Sequence, residues 1–176
     1  MNQRDASILK NRLIMKSESP NSLEVFVKSI PRSKILFPYA FHDRLKYVFW
    51  RLYTPYHPFI RDITLRLRIV RHKGRQDFIL GRVAPNQSMK EFISFLVQKG
   101  FKNHFVAWKD HDELVSLRYL KNFYFQYHIR VFKDGEVRGH YEYTPEYRPL
   151  SHILEIGMED RRDEFFSFLG NRVIRD

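Results

Sequence analysis

The sequence predicts an α+β fold: a largely antiparallel β-sheet with a central β-hairpin (about 123–144), packed by a few helices, with a basic helical N-terminal part. Three observations carry that reading. Two alternating runs flank Lys133-Asp134-Gly135, the mark of a hairpin. Further strand-like stretches surround one sharply bounded helix, the order expected of α+β rather than of βαβ units. With 176 residues, 43% hydrophobic and 16% aromatic, the chain can fill one ordinary core.

The hairpin fixes its own register. A three-residue loop with Gly135 in the left-handed region sets Val131 opposite Val137, Ile129 opposite Gly139, Tyr127 opposite Tyr141 and Phe125 opposite Tyr143. A two-residue Asp134-Gly135 loop would oppose Ile129 to His140 and mix the faces. A slip of one residue turns every side chain over, so the first register is expected. The other face then carries Gln126, His128, Arg130, Arg138, His140 and Glu142, and we expect it to be solvated, with His128 directly across from His140.

From the N-terminus, residues 5–16 have helical content, with Ile8, Leu9, Leu13 and Ile14 at compatible spacing. Asn21 and Glu24 have capping-box spacing for a short helix that Pro31 stops. Residues 37–59 hold nine aromatics, and within them Asp43–Tyr53 reads as a helix with Leu45, Val48, Phe49 and Leu52 inward. Residues 61–75, RDITLRLRIVRHKGR, alternate as a strand with Ile63, Leu65, Leu67 and Ile69 buried and Thr64, Arg66 and Arg68 outward. Residues 77–83 return as a second strand. Ser88 and Glu91 box the next helix, which presents Met89, Phe92, Ile93 and Leu96 and stops at Gly100. Residues 101–108 read as a strand, and 113–121 as a strand in preference to a helix. After the hairpin, 150–156 suits a short helix, and a last one over 160–169 has Phe165, Phe166 and Leu169 inward and ends at Gly170. The organisation is a basic, aromatic-rich helical part over 1–60 and an α+β domain over 61–176, or one continuous domain.

Charge points to a partner class. The net charge is +11, and residues 1–75 carry all of it, with sixteen Lys/Arg against five Asp/Glu; the remainder of the chain balances. Such asymmetry calls for a polyanion, with nucleic acid first and an anionic membrane second. Arg44, Arg51, Arg66, Arg68, Arg71, Lys73 and Arg75 are the expected phosphate contacts. On one strand face Arg66 and Arg68 would lie about 7 Å apart, a spacing that bridges successive phosphates. Trp50, with Tyr47 and Tyr53, lies off the apolar stripe and is the ring expected to stack on bases. A homodimer using the aromatic segment is a further reading.

Whether the chain is an enzyme is left open. There is no Gly-x-x-x-x-Gly-Lys-Ser/Thr, Gly-x-Gly-x-x-Gly, His-Glu-x-x-His or Gly-x-Ser-x-Gly pattern, and no Cys to act as nucleophile or thiolate ligand. The alternative to simple binding is a phosphodiesterase or nuclease in which His128, His140 and Glu142 do acid–base work while Arg130 and Arg138 steady a phosphoryl oxygen. The same His pair, with Glu142 and, if the following helix folds back, His152, has metal-ligand residue types, but its spacing fits no standard motif. Asp110, Asp112 and Glu113 read as a solvated turn rather than a Mg²⁺ site. No metal or cofactor is therefore assigned. A Cys-free chain with no apolar run of membrane-spanning length is expected in the cytoplasm.

Overall fold

The structure, a computed structural model, describes residues 20–34, 40–68, 78–104, 110–149, 151 and 157–175. It is α+β, with a six-stranded sheet and helices at both ends of the chain. Among the described residues the α-helices are α1 (Pro20–Ser29), α2 (Phe41–Tyr53), α3 (His57–Arg66), α4 (Met89–Gln98) and α5 (Arg162–Leu169). The strands are β1 (Ile79–Val83), β2 (Lys102–Asn103), β3 (Glu113–Leu120), β4 (Phe125–Phe132), β5 (Glu136–Tyr143) and β6 (Val173–Ile174). Their order across the sheet is β2-β3-β4-β5-β1-β6, with every neighbouring pair antiparallel.

The hairpin has the register its residues require. Val131 pairs with Val137, Ile129 with Gly139, Tyr127 with Tyr141, Phe125 with Tyr143 and His128 with His140. Gly135 sits at φ 90°, in the region that a side chain disfavours. The apolar face of β3, β4 and β5 presents Val115, Leu117, Ile129, Val131 and Val137 to Phe92, Ile93 and Leu96 of α4 and to Phe165 and Leu169 of α5. At Gly139 an added methyl would lie 2.8 Å from Leu80 Cδ1 and 2.9 Å from Phe165 Cε1, so the missing side chain is what admits the ring. The Ser88–Glu91 capping box is present, with Glu91 N–H donating to Ser88 Oγ at 3.2 Å and Ser88 N–H to Glu91 Oε2 at 2.7 Å.

Two expectations are corrected. Residues 61–68 are not a strand: α3 runs from His57 to Arg66, with Pro58 in its first turn, where its fixed φ suits a helix. Arg66 pairs with Asp62 at 2.7 Å, an i,i+4 contact that only a helix makes. The alternation of Ile63, Leu65 and Leu67 is thus incidental, and residues 69–75 lie outside the described set. The second correction concerns the direction of α2. Its Leu45, Val48, Phe49 and Leu52 face water, while Asp43, Trp50 and Tyr53 are buried. Asp43 is the reason: its carboxylate pairs with Lys46 at 3.3 Å and accepts a hydrogen bond from Tyr124, the residue before β4, so the face that carries it turns inward.

Of the remaining elements, β2 covers two residues of the expected 101–108 strand, and 105–109 are outside the described set. The same holds for the expected helices over 5–16 and, apart from Ser151, over 150–156. Among the described residues no helix is long and apolar enough to cross a membrane.

Candidate functional site

The polar face of the hairpin is buried, not solvated. His128, His140, Glu142, Gln126 and Arg130 are all enclosed, and β3 adds Ser116 and Arg118 to the same layer. Phe78 packs against His140 with ring centres 5.7 Å apart, His104 lies 4.8 Å from the His128 ring, and the carbonyl of Lys34 reaches Arg118 at 3.4 Å. Segments before and after the sheet therefore close over a face whose alternation alone suggests solvent.

At its centre three side chains converge. His128 Nδ1 lies 3.2 Å from His140 Nε2 and 3.6 Å from Glu142 Oε1, and His140 Nε2 lies 3.4 Å from Glu142 Oε2. The side chains are 11%, 5% and 4% exposed. The backbone sets this directly: opposed residues on β4 and β5 bring the two imidazoles together, and Glu142, two residues beyond His140, shares the face.

A second layer holds these groups. His128 Nε2 meets Ser116 Oγ at 2.6 Å. Gln126 donates from Nε2 to Glu142 Oε1 at 2.6 Å, with the same nitrogen 3.1 Å from His104 Nε2. Its Oε1 accepts from Arg118, whose guanidinium forks onto both oxygens of Glu146 at 2.8 and 3.1 Å. Burial, followed by the imidazoles of His140 and His104, pushes His128 well below the usual histidine range, against the pull of Glu142. A neutral imidazole beside a carboxylate can ligate a cation.

Arg130 and Arg138, expected to assist the histidines, are engaged by other carboxylates. Arg130 Nε donates to Glu113 at 2.9 Å and its NH2 pairs with Asp110, which ties the 110–113 turn to the sheet. Arg138 pairs with Glu136 and lies 4.5 Å above the Phe132 ring. The alternation of β4 and β5 identifies His128, His140, Glu142 and Gln126. Ser116 and Arg118 become visible only when β3 is recognised as the next strand, since they alternate with Val115, Leu117 and Tyr119. Glu146 and His104 come from loops and leave no periodic signal.

The expected phosphate contacts are distributed differently. Arg44 and Arg51 are exposed on α2. Arg66 pairs with Asp62, and Arg68, at φ 55°, follows the end of α3; they do not share a strand face. Trp50 is only 2% exposed and so offers no ring to a base. Arg71, Lys73 and Arg75 lie outside the described residues, as does His152. What α2 and α3 do present is apolar: Phe41, Leu45, Val48, Phe49, Leu52, Tyr56, Phe59, Ile63 and Leu67 are exposed, Leu52 and Phe59 by 68% and 67%. Positions 41, 45, 48, 49 and 52 share one face of α2, and 59 and 63 share one face of α3, with Tyr56 in the 3-10 turn between the helices and Leu67 just after α3.

A cleft of about 590 Å³ lies between α4 and the C-terminal turn. Of its lining residues, Glu91 is taken up by the helix cap and Gln87 accepts a hydrogen bond from Arg172 at 2.8 Å. Comparison of the chain with protein-family models, with curated proteins and with solved structures finds no match.

Proposed function

We propose that the protein associates with an anionic lipid surface through the outward face of α2 and α3. The observation that carries this reading is the set of large apolar side chains exposed between Phe41 and Leu67, on a segment rich in cations. Residues 41–68 contain six Lys/Arg against two Asp, and one of those acids, Asp43, is buried. An interfacial helix sinks such residues to the depth of the headgroups while its Arg side chains meet lipid phosphates. Each large apolar side chain taken from water contributes about 1.5–3 kcal/mol, and each cation near an anionic leaflet about 1 kcal/mol. The apolar term therefore dominates, and charge selects the lipid.

Nucleic acid is the second reading, favoured by the confinement of the +11 charge to residues 1–75. Phe41, Phe49, Tyr56 and Phe59 could stack on bases. Leu45, Val48, Leu52 and Leu67 have no such use and would stay in water. A second copy docked face to face would bring like charges together, which disfavours the homodimer. The phosphodiesterase reading requires its substrate to reach His128 and His140, which are 9% and 4% exposed.

The test is sedimentation with phosphatidylcholine vesicles, with and without phosphatidylglycerol, beside anisotropy with labelled RNA and DNA. The expected result is uptake on phosphatidylglycerol vesicles that Leu52→Asn and Phe59→Asn together abolish. Binding to nucleic acid without uptake on vesicles would transfer the surface to the second reading. Neither, with a mass that rises with concentration, would make these side chains a protein interface.

A further inference from the structure

We propose that His128, His140 and Glu142 form a binding site for one divalent transition metal, with Zn²⁺ the ion that fits. The site is independent of the lipid-facing helices and stands on the geometry of the sheet.

The donors are already at ligand spacing. A tetrahedral Zn²⁺ with bonds of about 2.0–2.1 Å holds its ligand atoms about 3.4 Å apart. The separations here are 3.2, 3.4 and 3.6 Å. The last two run to different oxygens of Glu142, and a small turn of the carboxylate offers one oxygen to the ion. These three residues are the group of potential ligands that converges in this way among the described residues.

The donor types choose the ion. Two imidazole nitrogens and one carboxylate suit Zn²⁺ and its neighbours, whereas Mg²⁺ and Ca²⁺ take oxygen cages. Three protein ligands is the count of zinc sites that keep a fourth position for water. The surrounding layer matches what ligands of a metal require. Ser116 on His128 Nε2 leaves Nδ1 facing the centre as an acceptor when the imidazole donates to the hydroxyl. Gln126, held by Arg118, fixes the carboxylate. Such outer contacts set tautomer and orientation. A solely structural reading would use the same groups as a hydrogen-bonded cluster, so the two differ in metal uptake and not in fold.

The experiment uses the full chain, stripped with chelator and then titrated with Zn²⁺ and, separately, Co²⁺. The expected result is uptake of about one ion per chain and the intense visible bands of tetrahedral Co²⁺. His140→Gln and Glu142→Gln, checked for folding by circular dichroism, should each weaken uptake by tenfold or more, while His42→Gln and His111→Gln, both on exposed histidines, should leave it unchanged. If a site variant does not fold, imidazole nitrogen shifts in the wild-type chain give the answer: those of His128 and His140 should move together on Zn²⁺ addition. A folded wild-type chain that takes up no stoichiometric metal overturns the proposal. So does uptake that survives both site variants, or that is lost with His42 or His111.

Discussion

Tyr124 Oη donates a 3.1 Å hydrogen bond to the buried carboxylate of Asp43, joining the start of β4 to the first turn of α2. Lys46 reinforces the join, pairing with Asp43 and lying 4.3 Å above the ring of Tyr147. This tether decides which face of α2 meets water. Tyr124→Phe is expected to speed amide exchange across α2 and leave β4 and β5 protected, since those strands keep their ladder. Equal exchange in both proteins would mean that α2 is held by other contacts.

Gly139 yields a packing prediction. A methyl at this position meets Leu80 and Phe165 at less than 3 Å. Gly139→Ala should therefore lower stability by about 1–3 kcal/mol, the usual result of overpacking a filled core. Urea denaturation measures it, and an unchanged midpoint would show that Phe165 moves aside freely.

The Arg118–Glu146 pair, with side chains 0% and 2% exposed, predicts an asymmetry between single and double variants. Glu146→Ala strands a buried guanidinium and should cost about 3–5 kcal/mol. Arg118→Met combined with Glu146→Leu removes both charges and should cost less than Glu146→Ala alone. A double-mutant cycle in denaturant separates the two.

Alkaline pH should act through Tyr127. Burial, then its hydrogen bond to Glu164, raises its hydroxyl from 10.0 to about 12. Because the folded value lies above the unfolded one, the contribution is complete below pH 10 and is lost between there and about pH 12. Tyr127→Phe should flatten that limb of the stability–pH curve. Identical alkaline limbs for the two proteins would refute the assignment.

Ser116 offers a check on the metal site that spares its ligands. Removing the hydroxyl that orients His128 should weaken Zn²⁺ uptake by about 10–100-fold, with the sheet intact by circular dichroism. Unchanged affinity would show that Ser116 does not set the imidazole.

The sheet was legible wherever local pattern and tertiary environment agree. The hairpin register followed from one loop glycine and two alternating strands, and α4 from its capping box. Residues 61–68 misled because Ile63, Leu65 and Leu67 satisfy both a period of two and part of a helical period. Pro58 and the Asp62–Arg66 spacing were the better guides. The inward face of α2 was misjudged because one buried acid, Asp43, outweighs four apolar residues once Tyr124 is there to meet it. That His128, His140 and Glu142 share one face followed from the register, but the face was placed in solvent, because what covers it comes from chain segments distant in sequence.

The sheet has an oily layer beneath it, built on Phe92, Ile93 and Phe165, and an ionic layer above, built on Arg118, Glu146 and Arg130. These respond to temperature in the same sense. Apolar burial loses its drive on cooling. The penalty for holding ions away from water falls on heating. Warmth therefore eases the burden of the upper layer while the lower layer still binds strongly, and cold acts against both. β3, β4 and β5 carry both layers at once, so cooling loosens them from both faces.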